Sequence, residues 1–296
     1  MTNCGSIAII GAPNAGKSTL TNLLVGAKVS IVTHKVQTTR TRITGVAMFD
    51  DTQVVIVDTP GIFQPKKRLD RAMVSSAWSS IDDVDIVCLL MDVSKHNHKD
   101  NEIIIENIKK QNKKCVLLLN KIDTIEKEKL LTITENLWEH GIFTDVFMIS
   151  ATTNSGVDSF IEWLKQNIPN GEYIYDPEDL SNVPNTLLSA EITREKIFLN
   201  IHEELPYSLT VETESWENFK NGDIKLNQVI FVEKENHRSI LLGKKGEKIK
   251  QIGKLARQEL SSIFDAKVHL FIHIKVKPNW QNDMDRYKNM NLNFSN

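Results

Sequence analysis

A chain of 296 residues, 41% hydrophobic and 25% charged, with a formal net charge of −2, has the composition of an ordinary globular protein and room for about two domains. Its longest apolar runs, such as IVCLLM at 86–91, fall far below the roughly 18 residues of a membrane span, and the early SIAIIG leads us to expect no signal peptide. Cys4, Cys88 and Cys115 have no metal-ligand spacing and cannot all pair, which fits a reducing cytosol.

Over the first ~170 residues, short apolar runs alternate with helical patterns. IAII (7–10), VVIVD (54–58), IVCLLMDV (86–93), CVLLLN (115–120) and VFMIS (146–150) read as strands buried on both faces. Helices are expected near 16–26, 70–80, 100–111, 126–140 and 155–167. This is the alternation of a doubly wound α/β fold with a mostly parallel sheet, in which ligands bind beyond the carboxyl ends of the strands. Gly11, Asp58, Asn120 and Ser150 stand at such ends.

GAPNAGKS (11–18) follows the first strand and opens a helix, as the phosphate loop G-x-x-x-x-G-K-[ST] requires. Gly11, Ala12, Pro13, Asn14, Ala15, Gly16, Lys17, Ser18 and Thr19 would form the cradle. Their backbone N–H groups would turn onto phosphate oxygens at the helix N-terminus. Lys17 would reach the β- and γ-phosphates and Ser18 would bind Mg²⁺.

NKID (Asn120, Lys121, Ile122, Asp123) makes the base a guanine. A carboxylate at Asp123 can accept from both N1–H and the exocyclic amine, a donor pair that adenine lacks, and Lys121 can lay its stem over the ring. In DTPG (Asp58, Thr59, Pro60, Gly61), Asp58 would hold Mg²⁺ through water and the Gly61 N–H would touch the γ-phosphate. Ser150 and Ala151 would bring a backbone N–H to the guanine oxygen. In QTTRTR (37–42), either Thr38 or Thr39 would be the switch threonine on Mg²⁺ and the γ-phosphate, Thr39 being favoured.

These motifs, in this order, resemble the translation-factor-related class of small GTPases. Ile62 stands where Ras-like enzymes have a catalytic glutamine, and Asn14 stands where potassium-activated relatives bind K⁺. The resemblance therefore implies K⁺ as a source of positive charge at the transition state, with Lys17, Asn14, Thr39 and Gly61 as the catalytic set.

The stretch 167–185 is rich in Pro, Asn, Gly and acids and reads as a linker. Beyond it, Ile197, Phe198, Ile201 and Leu205 recur at helical spacing, strands are expected at 207–213 and 228–233, a helix at 246–263, and an alternating strand at 267–276. The tail, 279–296, reads as loosely ordered. Between 238 and 257, seven basic residues stand against Glu247 alone, a field that favours a polyanion. Within it, Gly243, Lys244, Lys245 and Gly246 match the G-x-x-G loop of a KH module, which clamps about four backbone nucleotides. Lys248 and Lys250 follow on the next helix.

A GTPase domain at 1–170, a linker at 171–188, a KH-type domain at 189–280 and a tail at 281–296 together resemble the Era family of bacterial GTPases. EITREKIF…EELPYSLTVE and VKPNWQND extend the likeness. The resemblance implies a P-loop GTPase domain followed by a smaller α+β type II KH domain. It implies a GTP-hydrolysing switch that binds the 3′ end of 16S rRNA and assists its processing and 30S assembly. Mg²⁺, K⁺, a cytoplasmic monomer and peripheral contact with the inner membrane are implied with it.

The alternative is a regulatory GTPase, at the inner membrane or in the cell cycle, acting through protein partners with GKKG a surface turn. A tRNA-modifying GTPase would need a partner domain for which the chain has no room. HNHKD (96–100), the candidate for a zinc nuclease, has no further His or Cys nearby in sequence.

Overall fold

The structure is a computed structural model and describes residues 2–35, 38–201, 205–290 and 292. Gln37 of the switch stretch, residues 202–204 of the EELP stretch and most of the last six residues lie outside that set. The chain divides into two compact units. One comprises Met1–Ser30 and Thr39–Asn182 with the last residues, the other Ile31–Thr38 and Val183–Tyr287.

In the first unit the strands are β1 (Asn3–Ile10), β2 (Ile43–Phe49), β3 (Thr52–Asp58), β4 (Ile86–Asp92), β5 (Cys115–Asn120) and β6 (Phe143–Met148). They form one six-stranded sheet in the order β2-β3-β1-β4-β5-β6. All neighbours are parallel except β2 and β3. The helices are α1 (Lys17–Val25), α2 (Arg68–Ser79), α3 (Lys99–Lys110), α4 (Lys127–Trp138) and α5 (Val157–Asn167). β3 and β5 are buried along their whole length and β4 nearly so, because helices cover the sheet; hence their largely apolar sequences.

Two features depart from the sequence reading. β2 was not expected, and β6 ends at Met148, so Ser150 lies two residues past the strand. The stretch read as a linker is also pinned down. Gln53, fully buried, accepts from the N–H groups of Ile174 and Tyr175 at 2.9 and 3.0 Å and donates to the Tyr175 carbonyl at 2.8 Å. The Val46 N–H donates to the Leu180 carbonyl at 2.9 Å. Residues up to Asn182 thus cover the otherwise open β2 edge, which satisfies backbone groups there and blocks edge-to-edge pairing.

The second unit holds α6 (Asn185–Asn200), β7 (Leu209–Asn218), β8 (Ile224–Val232), α7 (Glu235–Leu242), α8 (Glu247–Ile263), β9 (Val268–Val276) and α9 (Met284–Asn289). Its sheet runs β7-β8-β9, antiparallel then parallel. This is the type II KH order. On α8, Ile252, Ala256 and Leu260, spaced by four, are all fully buried; Ile252 joins Leu209, Val211, Ile230 and Leu241 in one core cluster.

The start of the tail is packed, not loose. Trp280 is 1% exposed and its indole N–H donates to the Ser208 carbonyl at 3.1 Å. Arg286 stands 4.1 Å over the Phe231 ring, and the buried Tyr287 donates to the Gln281 carbonyl. Among the described residues, no helix is long and apolar enough to cross a membrane.

Candidate functional site

The turn from β1 into α1 places the phosphate loop at the carboxyl edge of the first sheet. Gly16 caps α1 at φ 103°, and a Cβ there would stand 2.3 Å from Asn120 Nδ2, so only glycine fits. Lys17 Nζ donates to the carbonyls of Gly11 (3.1 Å) and Ala12 (3.0 Å), lying along the loop it would use to hold phosphates. Burial lowers its pKa to about 8, with Asp58 pulling the other way.

Three oxygens meet beneath the loop. Ser18 Oγ stands 2.7 Å from Asp58 Oδ2 and 2.8 Å from Thr39 Oγ1. Ser30 also donates to Asp58 Oδ2, at 2.7 Å. Asp58 is fully buried and its Oδ1 has no partner among the described residues. Burial pushes its carboxyl pKa up, against hydrogen bonds from Ser18 and Ser30 and the Lys17 charge. A set of hydroxyl and carboxylate oxygens with one unmatched acceptor suits a hard cation such as Mg²⁺.

The geometry separates the two candidate threonines. Thr39 is buried and faces Ser18, whereas Thr38 turns its hydroxyl onto Thr33 and the Lys35 carbonyl. Thr59 donates to the Ile9 carbonyl at 2.9 Å. The Ile62 side chain is sunk in the core and its N–H donates to the Gly11 carbonyl at 3.0 Å. It presents nothing to water.

Asn120 joins the phosphate loop to the 150–151 turn. Its Nδ2 donates to the Ala15 carbonyl at 2.8 Å and its Oδ1 accepts from the Ala151 N–H at 2.9 Å. The Ser150 N–H donates to the Ser155 carbonyl. Lys121 sits at φ 66° and its Nζ reaches the Asn14 carbonyl (2.8 Å) and Asp92 Oδ2 (2.7 Å). Asp123 is exposed on the short turn Ile122–Thr124.

Sequence reasoning missed Ser30 and Asp92. Asp92 ends β4, so the strand-end rule that found Asp58 and Asn120 applies to it equally; nothing near Ser30 marks it. The histidines of 96–100 serve the loop: His96 Nδ1 meets the Val93 carbonyl and His98 Nδ1 accepts from the Asp100 N–H.

The second loop joins α7 to α8. Gly243 stands at φ 68°, and a Cβ would come within 2.7 Å of Lys248 Cβ, so the tight approach demands glycine. Lys244, Lys245 and Lys250 are exposed and Lys248 is half-buried. None of the four makes an ion pair among the described residues, which leaves their charge facing solvent at the start of α8.

The first unit and its site define a P-loop GTPase, and the second unit a KH domain. The family description "50S ribosome-binding GTPase" matches residues 6–121, and "KH domain" matches 204–281. GTPase Era of Brucella suis biovar 1 is 49% identical over 99% of this chain and 94% of its own length. GTPase Era of Caulobacter vibrioides is 47% identical over 99% and 97%. A crystal structure of Era in complex with MgGDPNP and nucleotides 1506–1542 of 16S ribosomal RNA superposes with a TM-score of 0.93 at 34% identity, over 97% of this chain and 98% of that one. A variant of Aquifex aeolicus Era bound to GDP·AlF4⁻ gives 0.91, also at 34% identity over 97% and 98%. The chain belongs to the Era family of GTPases.

Proposed function

We propose that this protein is a GTP-timed RNA clamp that holds the 3′ end of 16S rRNA while the small ribosomal subunit is processed and assembled. The meeting of Ser18, Thr39 and Asp58 in a chain that also exposes the GKKG loop carries this reading. The relative whose complex with 16S rRNA nucleotides 1506–1542 is known supports the choice of RNA.

The residues then have distinct tasks. Lys17 and the N–H groups of the loop and Gly61 hold the β- and γ-phosphates; Asp123 selects guanine; Asn120 fixes the loop against the 150–151 turn. Ser18, Thr39 and Asp58 would hold Mg²⁺, which would supply charge neutralisation at the phosphates. Ile62 cannot orient water, so charge at the transition state comes from elsewhere, and Asn14 is the residue that would bring K⁺ there. Hydrolysis in K⁺ should exceed that in Na⁺, and equal rates would remove K⁺ from the account. The protein works as a cytoplasmic monomer with peripheral contact at the inner membrane.

The test is direct binding of a short RNA matching the 16S 3′ end. Lys244→Ala with Lys245→Ala should weaken binding and flatten its salt dependence, by a log–log slope of about 1.4 if two phosphate contacts are lost. Unchanged affinity in the double variant would direct the search to protein partners.

A further inference from the structure

The switch stretch between α1 and β2 is built into two units. Ser30 and Thr39, at its ends, belong to the first unit and reach Asp58 and Ser18. Residues 31–38 between them belong to the second. Within that unit, Ile31 is fully buried in a cluster with Leu188 and Ile192 of α6. The Val32 N–H donates to Glu195 Oε1 at 2.8 Å, and Glu195 is 2% exposed. Lys35 donates to the Ile201 carbonyl, and Arg194, held on Glu191, donates to the Thr38 carbonyl. Ile31, Val32, Lys35 and Thr38 are therefore tied to helix α6 and its C-terminal end.

From this geometry we infer that Glu195 and Arg194 are positioning residues of the nucleotide site. They hold Val32 and Thr38 so that Thr39 stands beside Ser18, the arrangement a γ-phosphate and its metal require and GDP does not. The inference deepens the proposed function and rests on its reading of Thr39. A charged acceptor buried against a backbone N–H has no solvent substitute, so removing it frees the segment rather than leaving it in place. A ligand that prefers one arrangement of 31–38 shifts the affinity of the other site by the same factor, so whatever helix α6 senses is felt at Thr39 and conversely.

The test is the ratio of GDP to GTP-analogue dissociation constants in the full-length protein. Glu195→Ala should lower the preference for the GTP analogue about 5-fold or more with GDP affinity unchanged. Glu195→Gln, whose carbonyl can still accept from the Val32 N–H, should keep most of it. Ile31→Ala probes the contact from the segment itself, with α6 intact, and should act in the same direction. Combined with Glu195→Ala it should add less than its separate effect, because both release one segment.

A wild-type ratio retained in folded Glu195→Ala and Ile31→Ala overturns the inference. So does equal loss in the Ala and Gln variants, which would trace the effect to charge and not to the hydrogen bond. RNA affinity measured on the same proteins reads the other question: a wild type that binds no RNA removes the proposed function, while the nucleotide ratio still decides this one.

Discussion

Lys121 Nζ lies 2.7 Å from Asp92 Oδ2, an ion pair that ties the NKID turn to the end of β4. Asp92 is nearly buried, yet hydrogen bonds from Lys121 and Ser94 outweigh burial and hold its carboxyl below the usual pKa. In the proposed function, the pair steadies the lysine stem that would lie over the base. Asp92→Ala should weaken GDP and GTP binding alike, by roughly 10- to 100-fold, the range for a lost hydrogen bond to a charged group. Titration calorimetry checks this, and an unchanged affinity would make the pair a purely structural contact.

The proposed function assigns base selection to the Asp123 carboxylate. Asp123→Asn replaces an acceptor with a group that also donates, which suits a purine bearing a carbonyl where guanine has its amine. The variant should lose GTP affinity and gain affinity for xanthosine triphosphate. Competition between the two nucleotides measures it, and retention of the guanine preference would move recognition away from Asp123.

Lys17, lowered to about 8 by burial, sets a pH dependence with a definite sign. Between about pH 8 and its unfolded value of 10.5 the unfolded chain binds more protons than the folded one, so this group makes stability rise with pH there. Below pH 8 the buried charge opposes folding in full. Lys17→Met should therefore raise the melting temperature at pH 7, by about 2–4 °C for each kcal/mol recovered, while abolishing nucleotide binding. Phosphates restore the charge, so binding near pH 8 should take up protons, visible as a heat that varies with buffer. A lowered melting temperature would show that the charge is already compensated.

The sequence was most legible where backbone geometry restricts residue choice. Gly16 and Gly243 are required by close contacts, and strand ends such as Asp58 and Asn120 follow from a sheet buried on both faces. What stayed hidden depends on contacts distant in sequence. The β2 strand contains Gly45 and follows a polar stretch, so its pattern is weak. Nothing local shows that Ile31 packs on α6 or that Val32 and Thr38 bond to it, and the amide of Gln53 gives no hint that it binds 174–175. The composition of the tail, rich in Asn, masked Trp280 and Tyr287, two large side chains whose polar ends find backbone carbonyls.

Trp280 makes that last point testable. Trp280→Ala should destabilise the second unit by about 3–5 kcal/mol, the usual cost of emptying a buried aromatic site. Denaturant unfolding checks it, and Trp280→Phe, which keeps a smaller aromatic ring but not the N–H donor to Ser208, should cost less. A loss below about 1 kcal/mol would mean that the segment lies on the domain without supporting it.

The central claim, that guanine nucleotide times the grip on RNA, is tested most directly by the affinity of the full-length protein for an RNA matching the 16S 3′ end. It is measured in K⁺ and Mg²⁺ with a GTP analogue and again with GDP. The account predicts tight, sequence-selective binding with the analogue and binding at least about 5-fold weaker with GDP. Equal affinity in the two states would contradict it.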